Sequence, residues 1–291
     1  MNDYAILTDS ACDLSQDMVQ QLGVQVIPLH VTIDGQTYAN TPDEREIRNA
    51  DFFAMMRAGK MATTAAITPQ QVLDAAEPLL AAGRDVLFLA FSSALSRTCA
   101  SARMAARELN EKYAGSARMF VFDTLCASLG QGLLVWHAVQ RQRAGLSLDE
   151  LCTKLESLRP QLCHWFTVDD LHHLKRGGRV SAATAIVGSL LNIKPILHVD
   201  DEGRLIAVGK TRGRVASMRE LVNRMQQTAI APEHQTVFIC HGDCLDDAQA
   251  LAEMVRQACH PTDIYINCIG PVIGAHAGPG TLSVFFVGDH R

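Results

Sequence analysis

An α/β fold with two sheets is predicted for this chain by three observations. Short apolar runs alternate with amphipathic stretches through the first half, the rhythm of strands joined by helical crossovers. Two of those runs, residues 85–91 (DVLFLAF) and 118–122 (RMFVF), are near-continuous in large apolar side chains, as strands covered on both faces of a parallel sheet are. In the second half, Asp200-Asp201-Glu202-Gly203 separates two strand-like runs and reads as a hairpin turn, so that sheet is at least partly antiparallel.

In chain order, residues 4–7 form a short strand ending at Thr8-Asp9-Ser10, and a helix follows over 14–22. Residues 24–33 are rich in β-branched side chains and read as one extended segment. Helices over 69–82, 95–112 and 126–143 flank the strands at 85–91 and 118–122, with the right-handed crossovers that parallel strands require. A further helix over 147–158 stops at Arg159-Pro160. A domain boundary is placed there, giving an N-terminal α/β domain (1–160) and a C-terminal mixed α/β domain (161–291). Strands are expected in the latter at 164–168, 194–199, 204–208, 236–240, 263–269 and 282–287. Residues 270–281 (GPVIGAHAGPGT) read as a glycine-rich loop around His276.

Composition narrows the functional classes. With 291 residues, 48% hydrophobic and 20% charged, the chain has the make-up of a globular protein and not of a disordered or fibrous one. The 26 basic against 31 acidic residues leave a net charge of −5, which argues against a dedicated nucleic-acid binder. No apolar run approaches the roughly eighteen residues of a membrane span, and Met-Asn-Asp is no signal-peptide start. A soluble cytoplasmic protein is expected. Its nine cysteines are then reduced thiols. Cys240-His241-Gly242-Asp243-Cys244 lacks the second ligand pair of a metal site, so no metal is expected.

In open α/β sheets ligands bind beyond the carboxyl ends of the strands. Those ends carry Thr8-Asp9-Ser10, the segment Ser92 to Thr98, and Asp123-Thr124. Helix capping accounts for any one of these loops. Ser92, Ser93, Ser96 and Thr98 together, however, exceed what one cap needs, and they mark a ligand site. His276, and the basic loop with Lys175, Arg176 and Arg179, read equally well as surface groups or as ligand contacts.

These motifs, in this order, resemble the DegV family, whose characterised members are the fatty-acid-binding subunits (FakB) of bacterial fatty acid kinase. The resemblance runs end to end. It rests on TDSACDL (8–14), ATT (62–64), SSALSRT (92–98), DT (123–124), LKRGGRVS (174–181), NIKPILHV (192–199), GKTRGR (209–214) and HAGPGT (276–281). It implies a two-domain DegV-like fold: an N-terminal, mainly parallel α/β/α sheet and a C-terminal mixed sheet, with a lipid tunnel between them. It implies a carboxylate site made by Thr63, Thr64 in the family's serine position, Ser92, Ser93, Ser96 and His276. Gly278 and Arg97 are head-group neighbours, Arg97 standing where the family has glycine. The apolar stretch 181–193, with Ile186, Val187 and Leu190, is the expected tunnel wall or lid, and Arg212 falls on the kinase-docking arginine.

The implied function is binding of a long-chain fatty acid and presentation of its carboxylate to a separate ATP-dependent kinase, for acyl-phosphate formation and phospholipid synthesis. The chain itself would have no catalytic residue and no cofactor, and would touch the membrane surface only transiently. Burying about fifteen methylenes gains up to roughly 12 kcal/mol before ordering costs. The desolvated carboxylate then needs hydrogen-bond donors. The alternative is an enzyme acting on a small anionic metabolite, with Ser93 or Ser96 as nucleophile and His276 as base; it lacks a G-x-S-x-G elbow.

Overall fold

The computed structural model describes residues 4–180 and 192–291. The first half runs β1 (Tyr4–Asp9), α1 (Gln16–Leu22), β2 (Gln25–Ile27), β3 (His30–Ile33), β4 (Gln36–Ala39), α2 (Asn49–Arg57) and β5 (Ala62–Ala65). It continues with α3 (Pro69–Ala81), β6 (Asp85–Ala90), α4 (Thr98–Lys112), β7 (Met119–Asp123), α5 (Leu129–Arg143) and α6 (Leu148–Leu158). The second half runs β8 (Leu162–Thr167), α7 (Leu171–Arg176), β9 (Ile193–Val199), β10 (Leu205–Arg212) and α8 (Arg214–Thr228). It closes with β11 (Thr236–His241), α9 (Leu245–Cys259), β12 (Asp263–Cys268), α10 (Pro271–Ala277) and β13 (Leu282–Val287).

Local chemistry accounts for many boundaries. Thr68 caps α3 in a reciprocal box with Gln71, and Pro69 occupies its first turn, where a missing N–H costs nothing. Ser147 and Glu150 form the same box at α6. Between β9 and β10, Asp200 Oδ1 accepts hydrogen bonds from the Glu202 and Arg204 N–H groups at 3.0 and 2.9 Å, which folds the expected hairpin.

The strands assemble into three sheets. A four-stranded parallel sheet has the order β2–β1–β6–β7, and a six-stranded mixed sheet the order β10–β9–β8–β13–β11–β12. The third sheet, β4–β3–β5, is antiparallel and not anticipated from the sequence. It arises because the extended segment 24–33 is broken at Pro28. Leu29 N donates to Ser10 Oγ at 2.9 Å, so β2 stays with β1 while β3 turns away to pair with β5. Two other expectations change. Strand β6 is buried throughout its apolar length, but β7 is an edge strand with Phe120 42% exposed. Residues 271–277 form a helix and not a glycine-rich loop: Pro271 suits a first turn, and Gly274 packs against rings where a Cβ would lie 2.8 Å from Phe53 Cζ.

The six-stranded sheet separates two apolar cores by side-chain alternation. Val284 and Phe286 of β13 join Trp165, Ile239 and residues of α8 and α9 on one face. Phe285, Phe238 and Cys240 join Leu7, Leu87 and Leu134 of the first half on the other. Among the described residues no helix is long and apolar enough to cross a membrane.

Candidate functional site

The order of the parallel sheet reverses between β1 and β6, the topological position at which such sheets bind ligands. Asp9, at the end of β1, bridges this point by accepting from Phe91 N at 2.8 Å. The loop beyond β6 then contributes Phe91, Leu95, Ser96 and Arg97 to a cavity of about 320 Å³. One face of the six-stranded sheet supplies another wall through alternate residues: His164 and Phe166 from β8, Ser283 and Phe285 from β13, and Cys240 from β11. Helix α10 adds Val272, Ile273 and His276, and the β5 side adds Thr64 and Ala66.

Most of this lining is apolar, but it includes a hydrogen-bonded hydroxyl–imidazole pair and a guanidinium. His276 Nε2 lies 2.8 Å from Thr64 Oγ1. Arg179 stands on the same wall, its Nε donating to Leu95 O at 3.2 Å and its Nη1 to Gly177 O. Gly177 packs against the Nδ1 edge of the imidazole: a Cβ there would lie 2.2 Å from His276 Nδ1. Burial first, and the neighbouring Arg179 charge second, push the His276 pKa down to about 4. The imidazole is therefore neutral near pH 7, and Nδ1 is buried without a partner among the described residues. Ser96, half-buried on the wall, bonds Thr98 Oγ1 at 3.0 Å. Arg97 lines the cavity and is also exposed, so this part of the wall borders solvent. Hydroxyls, an imidazole and a guanidinium beside an apolar cavity can receive a carboxylate whose chain is buried.

The structure thus brings Thr64, Ser96, Arg97 and His276 together and leaves others outside the lining. Thr63 alternates with Thr64 along β5 and faces solvent. Ser92 is fully buried, and its hydroxyl donates to Gly203 O at 2.9 Å, holding the β9–β10 turn. Ser93 is exposed, with its N–H on Asp123 Oδ1 at 3.2 Å. Gly278 ends α10 at φ +83° against the His173 ring and does not reach the cavity. Arg212 is exposed at the end of β10. Ile186, Val187 and Leu190 lie outside the described residues. Sequence reasoning left Arg179 open between a surface group and a ligand contact, and the structure places it on the cavity wall. The sequence reading missed Ser128, His164 and Ser283, for which no local signal distinguished the cavity side. His276 pairs with Thr64, not with Ser93 or Ser96. Among the described residues no three His, Cys, Asp or Glu side chains gather where a metal could bind.

Comparison with known proteins follows from this geometry. The model of the DegV family, described as an uncharacterised protein family, matches residues 3–289. The chain belongs to the DegV family. A DegV domain-containing protein of Clostridium perfringens is 44% identical over 291 residues, covering 100% of this chain and 99% of the relative. A DegV family protein of Thermus thermophilus, solved in a study of its fatty acid binding, superposes with a TM-score of 0.88 at 33% identity, covering 98% and 99% of the two chains. DegV of Bacillus subtilis, described as a fatty acid binding protein, superposes at 0.84 with 27% identity over 99% and 100%. The two-domain α/β DegV fold, with its parallel and mixed sheets, is therefore shared along essentially the whole chain.

Proposed function

We propose that this DegV protein binds a long-chain fatty acid, with the acyl chain in the cavity and the carboxylate at Thr64, Ser96, Arg179 and His276. One observation carries the reading: a mainly apolar cavity whose wall carries the hydrogen-bonded Thr64–His276 pair together with Ser96 and the Arg179 guanidinium. The fatty acid binding described for the Thermus thermophilus and Bacillus subtilis relatives supports it. The chain acts as a non-catalytic carrier in the cytoplasm. It takes its ligand from the membrane surface and offers the carboxylate, beside exposed Arg97, to a separate ATP-dependent fatty acid kinase that docks at Arg212. The acyl phosphate so formed serves phospholipid synthesis. The 1–160 and 161–291 domains, and the stretch holding Ile186, Val187 and Leu190 as tunnel wall or lid, belong to the same reading. Among the described residues no serine–imidazole pair favours the hydrolytic alternative.

Native mass spectrometry of the purified protein, before and after incubation with palmitate and oleate, tests the binding step. The expected result is one fatty acid per chain, released on denaturation. A mass that stays ligand-free with both acids overturns the reading.

A further inference from the structure

Asp13, the second acidic residue of the TDSACDL segment, is only 5% exposed and takes no part in the carboxylate site. Two distant stretches nevertheless meet on it. Its Oδ1 accepts from Gly270 N, the residue that opens α10, at 2.9 Å. Its Oδ2 accepts from Ser128 Oγ, at the start of α5, at 2.6 Å. Its main-chain oxygen accepts from Asn267 Nδ2 at 2.7 Å. We propose that Asp13 is a positioning residue that sets the start of α10 and the start of α5 together, and through them places His276 and Ser128 on the cavity wall.

Helix α10 has seven residues, too few to hold its shape alone, so its ends and packing decide where it lies. One end is tied to Asp13 through Gly270, and near the other His276 meets Thr64. These ties are about 9 Å apart at 1.5 Å rise per residue, and a short rigid rod carries a shift at one end to the other. The Gly270 end has no slack: a Cβ there would stand 2.8 Å from Asn40 Oδ1 and 3.2 Å from Asp13 Oδ1. Asp13 and Ser128 also both adopt positive φ, 51° and 55°. Such strain in non-glycine residues persists where the surroundings over-determine the backbone, as they do at binding sites. Ser128 itself lines the cavity, with its Oγ 3.3 Å from Cys240 Sγ.

Asparagine is the conservative replacement. It keeps one oxygen for Gly270 N–H and turns an amide N–H toward Ser128, whose hydroxyl then points to Cys240. Alanine keeps neither contact. The first measurement is the imidazole ¹⁵N–¹H NMR signal of His276 in the ligand-free chain, assigned by its loss in His276→Ala; the second is palmitate affinity. Asp13→Ala is expected to shift the His276 signal and weaken palmitate about tenfold, the scale of one hydrogen bond to a charged group, while Asp13→Asn restores both. The Asp13→Ala/His276→Ala double variant is expected to bind no worse than His276→Ala alone, because the two act in series. An unmoved His276 signal in folded Asp13→Ala, equal losses in Ala and Asn, or additive losses in the double variant would each overturn the proposal. If Asp13→Ala does not fold, Gly270→Ala replaces it: its Cβ would stand 2.8 Å from Asn40 Oδ1 and 3.2 Å from Asp13 Oδ1, which disturbs the Gly270–Asp13 contact; the proposal expects the His276 signal to shift, and an unmoved signal overturns it. The affinity arm rests on the fatty-acid reading and the NMR arm does not, so a wild-type chain that ignores palmitate counts against that reading alone.

Discussion

Burial and the Arg179 guanidinium together keep His276 uncharged near neutral pH, so in the proposed site Arg179, and not His276, brings positive charge to the carboxylate. Neutral His276 and Thr64 then act as hydrogen-bonding groups that set direction. Replacing Arg179 by glutamine keeps much of the side-chain bulk and removes the charge. Fatty acid affinity is expected to fall by about ten- to a hundredfold, since a hydrogen bond to a charged group contributes about 1.5–3 kcal/mol. Displacement of a fluorescent fatty acid measures this directly; an Arg179→Gln chain that binds like wild type assigns the counter-charge elsewhere. The serines show how differently one motif can be used. Of Ser92, Ser93 and Ser96, only the last reaches the cavity, while Ser92 is consumed by the turn it holds.

At the scale of elements, α10 carries the histidine and is wedged between the small antiparallel sheet, α2 and α7. Its glycines, which made the segment read as a loop, allow this packing. At Gly274 the Phe52 and Phe53 rings stand where a side chain would go. Gly274→Val is expected to destabilise the fold by about 2 kcal/mol, the usual range for overpacking a filled core. Urea denaturation reads the midpoint, and an unchanged midpoint would mean that the rings move aside freely. The β3–β5 pairing beside α10 sets Thr64 inward through its register with Val31. Slipping that register by one residue would turn Thr63 to the wall instead.

For the molecule as a whole, buried ionisable groups of both kinds shape stability against pH. Burial lowers the pKa of His137 to about 3 and of His276 to about 4, takes His164 well down, and lowers His173, His198 and His241. The unfolded chain protonates these side chains from pH 6.5 downward while the folded chain does not, so their contribution is complete above that value and is lost as pH falls. Burial raises Asp9 to about 6 and Asp13 to about 8. Their sign is opposite: the folded chain keeps protons the unfolded chain has released above 3.8, so stability is lost as pH rises through the folded values. Between pH 6.5 and 8 Asp13 dominates. The urea midpoint is expected to peak near neutrality and decline toward pH 8 in wild type. That alkaline decline should flatten in Asp13→Asn; an equally steep decline there would place the titrating group elsewhere.

By itself the sequence determined the alternation of strands and helices, the presence of α3 and α6, the β9–β10 hairpin and the family motifs. Each of these depends on side chains within a few positions of one another, where period and capping chemistry act. The tertiary structure alone decided that Pro28 divides one extended run between two sheets and that residues 271–277 coil into a helix. It alone turned Thr64, Ser96 and Arg179 inward while Thr63 and Ser93 face solvent. Those outcomes rest on partners far along the chain. Thr64 and His276 are 212 positions apart, and Ser92 is 111 from the carbonyl that claims its hydroxyl. A local pattern says that a polar side chain alternates or caps; only the packed neighbours decide whether it meets water, backbone or ligand.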